Sequence, residues 1–118
     1  QKYNLPVIIH AVKSYDEIYN ILKNYQLRVQ IHAFNGSPLQ GKKFLDIGCY
    51  LSFGLYKKSK KLQEFIRSIP LDNILIETDE QPNEHLAEVA TEIADLKNIQ
   101  RDEFVKIIDT NANKLFNV

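Results

Sequence analysis

Short apolar runs alternate along the chain with longer segments in which apolar residues recur every three or four positions, and turn-forming residues separate the two kinds. The short runs predict buried strands, and the periodic segments predict amphipathic helices. The predicted strands are 5–11, 28–34, 50–53 and 73–79. The predicted helices are 15–25, 38–46 or 47, 60–68, 85–96 and 102–116.

The limits of the first two helices are marked by residues with known capping preferences. Ser14 and Ser37 stand immediately before these helices, where a serine side chain can accept a hydrogen bond from a backbone amide. Pro38 then takes the first helical position, which suits a residue without an amide hydrogen. Gly48 follows the second helix and is the expected stop.

Alternating strands and helices predict an α/β fold whose parallel strands are joined by right-handed crossovers. Four consecutive βα units are followed by one extra C-terminal helix, and the chain has room for a single domain, 1–118. The Gly-x-Gly-x-x-Gly pattern of dinucleotide-binding folds follows none of the predicted strands. Two architectures fit this order, namely half of a (βα)8 barrel and a small open α/β sheet.

Polar residues fall at the ends of three predicted strands. His10 closes the first, His32 nearly closes the second and Asp79 closes the fourth. Strand alternation places Gln30 on the same face as His32, and Glu77 on the same face as Asp79. Ligands of parallel α/β folds gather at the carboxyl ends of strands, and imidazole with carboxylate suits zinc or manganese better than calcium. A lone histidine at a strand end is more often hydrogen-bonded than metal-bound, and Asp79 alone could be a helix cap or a turn residue. The joint pattern raises the case for a shared metal.

Composition limits the partners. Hydrophobic residues make up 44% and charged residues 25%, as in ordinary globular proteins. Lys plus Arg equals Asp plus Glu at 15 each, so contact with DNA would need a local basic patch or a metal ion rather than a general positive charge. No apolar stretch approaches the roughly 20 residues that span a bilayer. The sole cysteine, Cys49, suits a reducing, cytoplasmic setting and a packing role. The chain contains no methionine, which suggests a fragment.

Five segments carry a resemblance to a known family. Residues 5–10 read LPVIIH, 31–37 read IHAFNGS, 48–53 read GCYLSF, 69–79 read IPLDNILIETD and 111–116 read NANKLF. These segments resemble, in order, a strand that ends in a ligand histidine, the His-x-Phe-x-Gly-Ser signature, the Gly-x-Tyr-x-Ser-Phe strand, the Glu-Thr-Asp segment and the closing helix of the TatD family of metal-dependent hydrolases. The resemblance covers essentially the whole chain.

The resemblance implies a fold and a chemistry. The fold is a TIM (βα)8 barrel, of which this chain would be the C-terminal half with strands five to eight. His10 and His32 would bind one metal ion, and Asp79 would bind a second and help to activate water. The implied cofactors are two divalent ions, Mg, Mn or Zn, in the complete site. The implied activity is deoxyribonuclease hydrolysis of DNA phosphodiester bonds.

The chain also departs from the family pattern. The His-x-His motif and the bridging glutamate of the family belong to the half that is missing here. Ala11 and Val12 stand where the family usually has Ser-Arg, and the link 80–84 is short and retains only Asn83-Glu84 of a longer basic loop. We therefore expect this chain alone to be incomplete or inactive.

Phosphate contacts are expected from the loop after the third strand. Lys57, Lys58, Lys60 and Lys61 cluster there, on the presumed active face, although a solvated helix start would show the same pattern. Lys57, Lys58 and Asn83 are the candidate substrate-binding residues.

Two other interpretations stay open. One is a non-catalytic module, either truncated or dimerising, because a half-barrel leaves two strand edges and one sheet face uncovered. It would form a homo-oligomer or associate with its missing half. The other is a small-molecule hydrolase of the same superfamily.

Overall fold

The computed structural model describes residues 6–10, 14–54, 60–77 and 84–116. The strands are β1 Val7–His10, β2 Val29–His32, β3 Tyr50–Phe53 and β4 Ile74–Ile76. The helices are α1 Tyr15–Leu22, α2 Pro38–Asp46, α3 Lys60–Ser68, α4 Glu84–Leu96 and α5 Arg101–Phe116. A short 3₁₀ turn, Leu71–Asn73, precedes β4.

The four strands form one parallel sheet in the order β1-β2-β3-β4. Each strand therefore pairs with the next strand of the sequence, as consecutive βα units require. The predicted α/β order, four βα units and an extra C-terminal helix, is confirmed. None of the helices in the described part of the chain is long and apolar enough to cross a membrane.

One face of the sheet packs against the helices and forms the core. Ile31, Leu51 and Ile74 lie on this face and are fully buried. Aromatic side chains fill the space between this face and the helices. The ring of Phe34 contacts the rings of both Phe44 and Phe53 edge-on. Burial of rings of this size contributes much of the stability of a small core.

The opposite face, which we call the inner face, carries the alternate residues of each strand. Parallel register aligns them across the sheet. Ile8 is 56% exposed on this face, although isoleucine is usually buried. The inner face consists of Ile8, His10, Gln30, His32, Tyr50, Ser52, Leu75 and Glu77.

Several predicted boundaries change. The second strand ends at His32 because Ala33 adopts a left-handed backbone conformation, with φ 52°. Helix α1 ends at Leu22 rather than at residue 25, because the amides of Asn24 and Tyr25 bond to carbonyls three residues back and tighten the last turn. The outer residues of the predicted first and fourth strands, 5, 11 and 78–79, lie outside the described residues.

The helix caps give one correct and one wrong prediction. Ser37 accepts a hydrogen bond from the amide of Gln40, whose side chain bonds back to the Ser37 amide, so a full capping box opens α2. Ser14 precedes α1 but makes no side-chain capping bond, because its φ of −131° and ψ of 24° do not give the extended conformation of a capping residue. Gly48, with φ 86°, ends the α2 segment as predicted.

Side-chain amides fasten the amino ends of β3 and β4. Asn111 of α5 is 2% exposed and donates to the carbonyls of Leu71 and Ile74, at 2.8 and 2.9 Å. Asn73 donates to the carbonyl of Cys49 at 3.0 Å. These bonds satisfy buried carbonyls at the end of the sheet opposite to the strand-end histidines, so β4 is fixed from its start.

Candidate metal centre

Two histidines meet at the carboxyl ends of neighbouring strands. His10 is the last residue of β1 and His32 the last of β2, and the two are paired in register. Their ring centroids are 4.9 Å apart, and the ring planes are inclined by 33°. The structure thus brings together two of the three residues that the sequence singles out as metal ligands.

The two rings differ in their surroundings. His10 is exposed, whereas the side chain of His32 is only 20% exposed. His32 lies one strand further into the sheet, with β1 on one side and β3 on the other. One imidazole therefore faces solvent while the other is held within the protein.

Glu77, which follows β4, is the carboxylate that faces His32. Its side chain is 10% exposed, and its Oε2 atom lies 2.9 Å from Nδ1 of His32. The Glu77 amide donates to the carbonyl of Phe53 at 2.8 Å, which continues the β3–β4 ladder and orients the side chain toward the inner face. A carboxylate in this position accepts the Nδ1 hydrogen of the imidazole.

Ser52 completes this group from the strand between them. It lies in β3, is fully buried, and its hydroxyl donates a hydrogen bond to the same Oε2 atom of Glu77. The other oxygen of Glu77, Oε1, is buried and has no hydrogen-bond partner among the described residues. An unsatisfied buried carboxylate oxygen is costly unless a donor or a cation completes it.

The backbone just beyond His32 is fixed by two features. Ala33 takes the left-handed conformation, which costs a residue with a side chain about 1 kcal/mol. Phe34 then returns to the core, where it is fully buried and its amide donates to the carbonyl of Ser52 at 2.9 Å. The chain therefore turns sharply after His32. Strand pairing fixes the backbone before the histidine, and the buried Phe34 fixes it after.

These residues fit a divalent metal ion. Imidazole nitrogens are common ligands of zinc and manganese, and a metal-binding histidine usually donates its second nitrogen to a carboxylate. His32 and Glu77 show that arrangement, and the bare Oε1 of Glu77 lies where positive charge would stabilise it. Within residues 6–10, 14–54, 60–77 and 84–116, however, no three His, Cys, Asp or Glu residues form a complete ligand group.

Four predicted site residues lie outside the described residues. These are Asp79, Lys57, Lys58 and Asn83. The metal-ligand role of Asp79 and the phosphate-contacting role of the other three stay predictions. Of the predicted lysine cluster, Lys60 and Lys61 are described, and both are exposed in the first turn of α3.

Two polar residues of the site were only partly accessible to sequence reasoning. Alternation along the fourth strand places Glu77 on the inner face, but gives it no partner. Ser52 was missed as a site residue, since the signal is a single hydroxyl in the otherwise apolar Leu51–Phe53 stretch. Its inner-face position follows only when the β3–β4 register is known.

Two other titratable groups, Tyr15 and Cys49, have structural roles. Tyr15 donates its hydroxyl hydrogen to Asn35 Oδ1 at 3.0 Å and joins the start of α1 to the loop that follows β2. Burial raises the pKa of Tyr15, and the hydrogen bond from the Asn35 backbone lowers it by less. Cys49 is 2% exposed, and burial raises the pKa of its thiol to about 12. The predicted packing role of Cys49 agrees with this burial, which keeps the thiol protonated.

Comparison with known proteins identifies the family. A family model described as TatD related DNase matches residues 1–117. An uncharacterized metal-dependent hydrolase of Haemophilus influenzae is 32% identical, over 98% of this chain and 51% of its own length. The uncharacterized metal-dependent hydrolase YabD of Bacillus subtilis is also 32% identical, over 98% of this chain and 52% of its own length. The chain thus spans about half the length of these relatives.

Solved structures show the same relation in three dimensions. The crystal structure of YjjV, a TatD homologue from Escherichia coli, superposes with a TM-score of 0.88 at 31% identity, and the match covers 99% of this chain and 52% of YjjV. A TatD family hydrolase of Entamoeba histolytica superposes with a TM-score of 0.84 at 19% identity, which supports the fold alone. The four βα units therefore correspond to about half of a TatD barrel.

The matched half is longer in the relatives. The alignments with the Haemophilus and Bacillus proteins extend over 133 and 134 positions, whereas this chain has 118 residues. At least 15 positions, the difference between 133 and 118, therefore have no counterpart here. The family match over nearly every residue and the shared half-barrel lead to one conclusion: this chain belongs to the TatD-related DNase family.

Proposed function

We propose that this chain supplies one half of the active site of a metal-dependent deoxyribonuclease. The observation that carries the proposal is the pair of imidazoles at adjacent strand ends, one of which lies 2.9 Å from a carboxylate oxygen of Glu77. The relatives are named metal-dependent hydrolases. A protein named as a putative deoxyribonuclease, the TATDN1 homologue of Enterocytozoon bieneusi, is 32% identical over 64% of this chain.

In the proposed mechanism, His10 and His32 would hold a divalent ion at the carboxyl ends of β1 and β2. Such an ion lowers the pKa of a water molecule and stabilises negative charge on a phosphate. Glu77 keeps His32 in place through Nδ1. Asp79 follows Glu77 by two residues and is the proposed acceptor of the proton from the attacking water.

The choice of DNA as substrate depends on local charge. The chain has no net charge, so it lacks a general attraction for nucleic acid. Lys60 and Lys61 are exposed in the first turn of the helix that follows β3, and that turn begins on the carboxyl-end side of the sheet. Together with Lys57, Lys58 and Asn83 they form the proposed contact with the phosphate backbone. A single cysteine without a disulfide partner suits a reducing compartment, so the cytoplasm is the proposed location.

His10 and His32 alone do not complete a metal site, so the proposal needs further ligands. Among the described residues the centre is incomplete, and the chain spans about half of its relatives. The exposed Ile8 and the edge strands β1 and β4 indicate that the inner face needs a cover. We propose that a complementary half-barrel, on the same or another chain, or a second copy of this chain, provides it.

A chimera tests this function directly. The part of YjjV that this chain does not match would be fused to residues 1–118, and the purified protein would be incubated with labelled DNA and Mg²⁺ or Mn²⁺. We expect metal-dependent cleavage by the chimera and little cleavage by the 118-residue chain.

Substitutions identify which residues carry the activity. His32→Ala in the chimera should lower cleavage at least about a hundredfold, because the metal loses a ligand. The matched control, Lys42→Ala on the exposed side of α2, should leave cleavage unchanged. Cleavage that survives His32→Ala would refute the site. Hydrolysis of a small phosphoester without cleavage of DNA would instead identify a small-molecule hydrolase.

A further inference from the structure

Three polar side chains from three adjacent strands meet at one oxygen atom. Glu77 Oε2 lies 2.9 Å from Nδ1 of His32 in β2 and accepts a hydrogen bond from the hydroxyl of Ser52 in β3. The residue Ser52 is fully buried, and the side chain of Glu77 is 10% exposed. Such buried hydrogen bonds form in a region of low dielectric, where they are strong and directional.

We propose that Ser52 and Glu77 are positioning residues that fix the tautomer of His32. They hold the hydrogen of the neutral ring on Nδ1 and so assign metal binding to Nε2. This inference rests on the proposed function for the identity of the ligand. The tautomer itself is a property of the metal-free chain and can be measured independently.

The tautomer follows from the donors and acceptors present. A carboxylate can only accept hydrogen bonds when it is ionised, so Oε2 at 2.9 Å from Nδ1 favours the tautomer that carries its hydrogen on that nitrogen. A neutral imidazole carries one hydrogen, so Nε2 of His32 then bears the lone pair. A divalent ion binds an imidazole through a lone pair, and the ring is therefore prepared before the metal arrives.

In this proposal Ser52 holds the Glu77 carboxylate in its orientation, because Oε2 is the carboxylate oxygen that accepts the Ser52 hydrogen bond. Within the described part of the chain, Oε1 has no hydrogen-bond partner, and Oε2 is the atom of this carboxylate that contacts both His32 and Ser52. The Ser52 hydroxyl comes from the neighbouring strand and stops the carboxylate from rotating away from His32. A hydroxyl on this rigid central strand is therefore a support for the ligand rather than a reacting group.

A purely structural role for the three residues predicts something different. If the bonds only joined β2, β3 and β4, their loss would lower the free energy of unfolding and leave the tautomer of a folded His32 unchanged. The ring tautomer therefore separates positioning from general stabilisation.

The test is a two-bond ¹H–¹⁵N correlation spectrum of metal-free protein labelled with ¹⁵N-histidine. The chain has 3 histidines, so His10→Gln and His85→Gln variants assign the signals. Spectra are recorded about two pH units above the ordinary histidine pKa of about 6.5, where an unperturbed ring is neutral. We expect His32 in the wild-type chain to carry its hydrogen on Nδ1. A hydrogen on Nε2, or a doubly protonated ring, would overturn the proposal.

The variants show which residues impose the tautomer. Glu77→Ala should return His32 to the Nε2–H form that imidazole prefers in water, and Ser52→Ala should give a mixture of the two forms. The matched controls, Glu64→Ala and Ser68→Ala in α3, lie away from the site and should keep the wild-type spectrum. A folded Glu77→Ala protein that retains the Nδ1–H form would refute the role of the carboxylate.

Zinc titration of the same proteins then connects the tautomer to binding. Loss of such a partner typically weakens metal binding roughly 10- to 100-fold, so that is the expected effect of Glu77→Ala. Ser52→Ala should weaken it about threefold to tenfold, the worth of one hydrogen bond, and Ser68→Ala should have no effect. Equal zinc affinity in wild type and Glu77→Ala would overturn the positioning role. A wild-type chain that has the Nδ1–H form but binds no zinc would refute the proposed function and leave the tautomer assignment standing.

Discussion

The close packing around Gly41 predicts the effect of a single added methyl group. Gly41 lies in the interior of α2, and a Cβ atom added there would lie 2.3 Å from Cζ and 2.7 Å from Cε2 of Phe65. Carbon atoms in contact prefer about 3.5 Å or more, so the ring would have to move by more than 1 Å. Phe65 is 4% exposed and has little room for such a shift.

The expected magnitude combines two opposing terms. Over-packing of a core costs about 1 to 3 kcal/mol, and this contact is severe enough for the upper end. Alanine gains about 1 kcal/mol over glycine inside a helix. Gly41→Ala should therefore lower the free energy of unfolding by about 2 kcal/mol.

Urea denaturation followed by circular dichroism measures this change. Lys42→Ala, at the adjacent exposed position, should alter stability by less than about 0.5 kcal/mol. Adding Phe65→Leu to Gly41→Ala should recover part of the loss, so the two changes together should cost less than their sum. A Gly41→Ala protein that is more stable than the wild type would show that helix propensity prevails and that the packing described here is wrong.

Three further predictions concern other parts of the chain. Asn111→Leu should lower the free energy of unfolding by about 2 kcal/mol, because the carbonyls of Leu71 and Ile74 lose their donor. Urea denaturation should show no comparable loss for Asn113→Leu at an exposed position. Equal losses for the two variants would refute the anchoring role of Asn111. Burial raises the pKa of the Cys49 thiol from 9.0 to about 12, so the unfolded chain loses this proton at lower pH than the folded chain. The free energy of unfolding should therefore fall as the pH rises from 9.0 toward 12. Cys49→Ala should make that fall shallower, and identical pH profiles for the two proteins would contradict the prediction. Size-exclusion chromatography should show a dimer or larger species, because the inner face and two strand edges need cover; a monomer that melts cooperatively would contradict this.

The order of the elements could be predicted because it depends on local patterns. Apolar runs mark strands, periodic segments mark helices, and the limits of β3 and α3 agree with the residues that the pattern selects. The pairing of His10 with His32 also follows from sequence, because parallel strands of consecutive βα units end at the same side of the sheet.

Other features depend on contacts that sequence patterns do not contain. Ser52 contacts Glu77 across 25 positions of the chain, and only the strand register brings the two together. Ala33 ends the second strand early because its backbone turns left-handed, although alanine gives no signal for that conformation. Gly41 is required by a phenylalanine ring from another helix. In each case the deciding distance is tertiary.

The central claim is that His10 and His32 together hold a divalent ion. Anomalous diffraction from crystals of this chain grown with zinc chloride tests it most directly, because the signal locates the ion without reference to activity. We predict a peak within about 2.0–2.1 Å of a nitrogen of both imidazoles, with Nε2 as the ligand atom of His32. Zinc bound at another place in the molecule, with the two rings left without metal, would contradict the account.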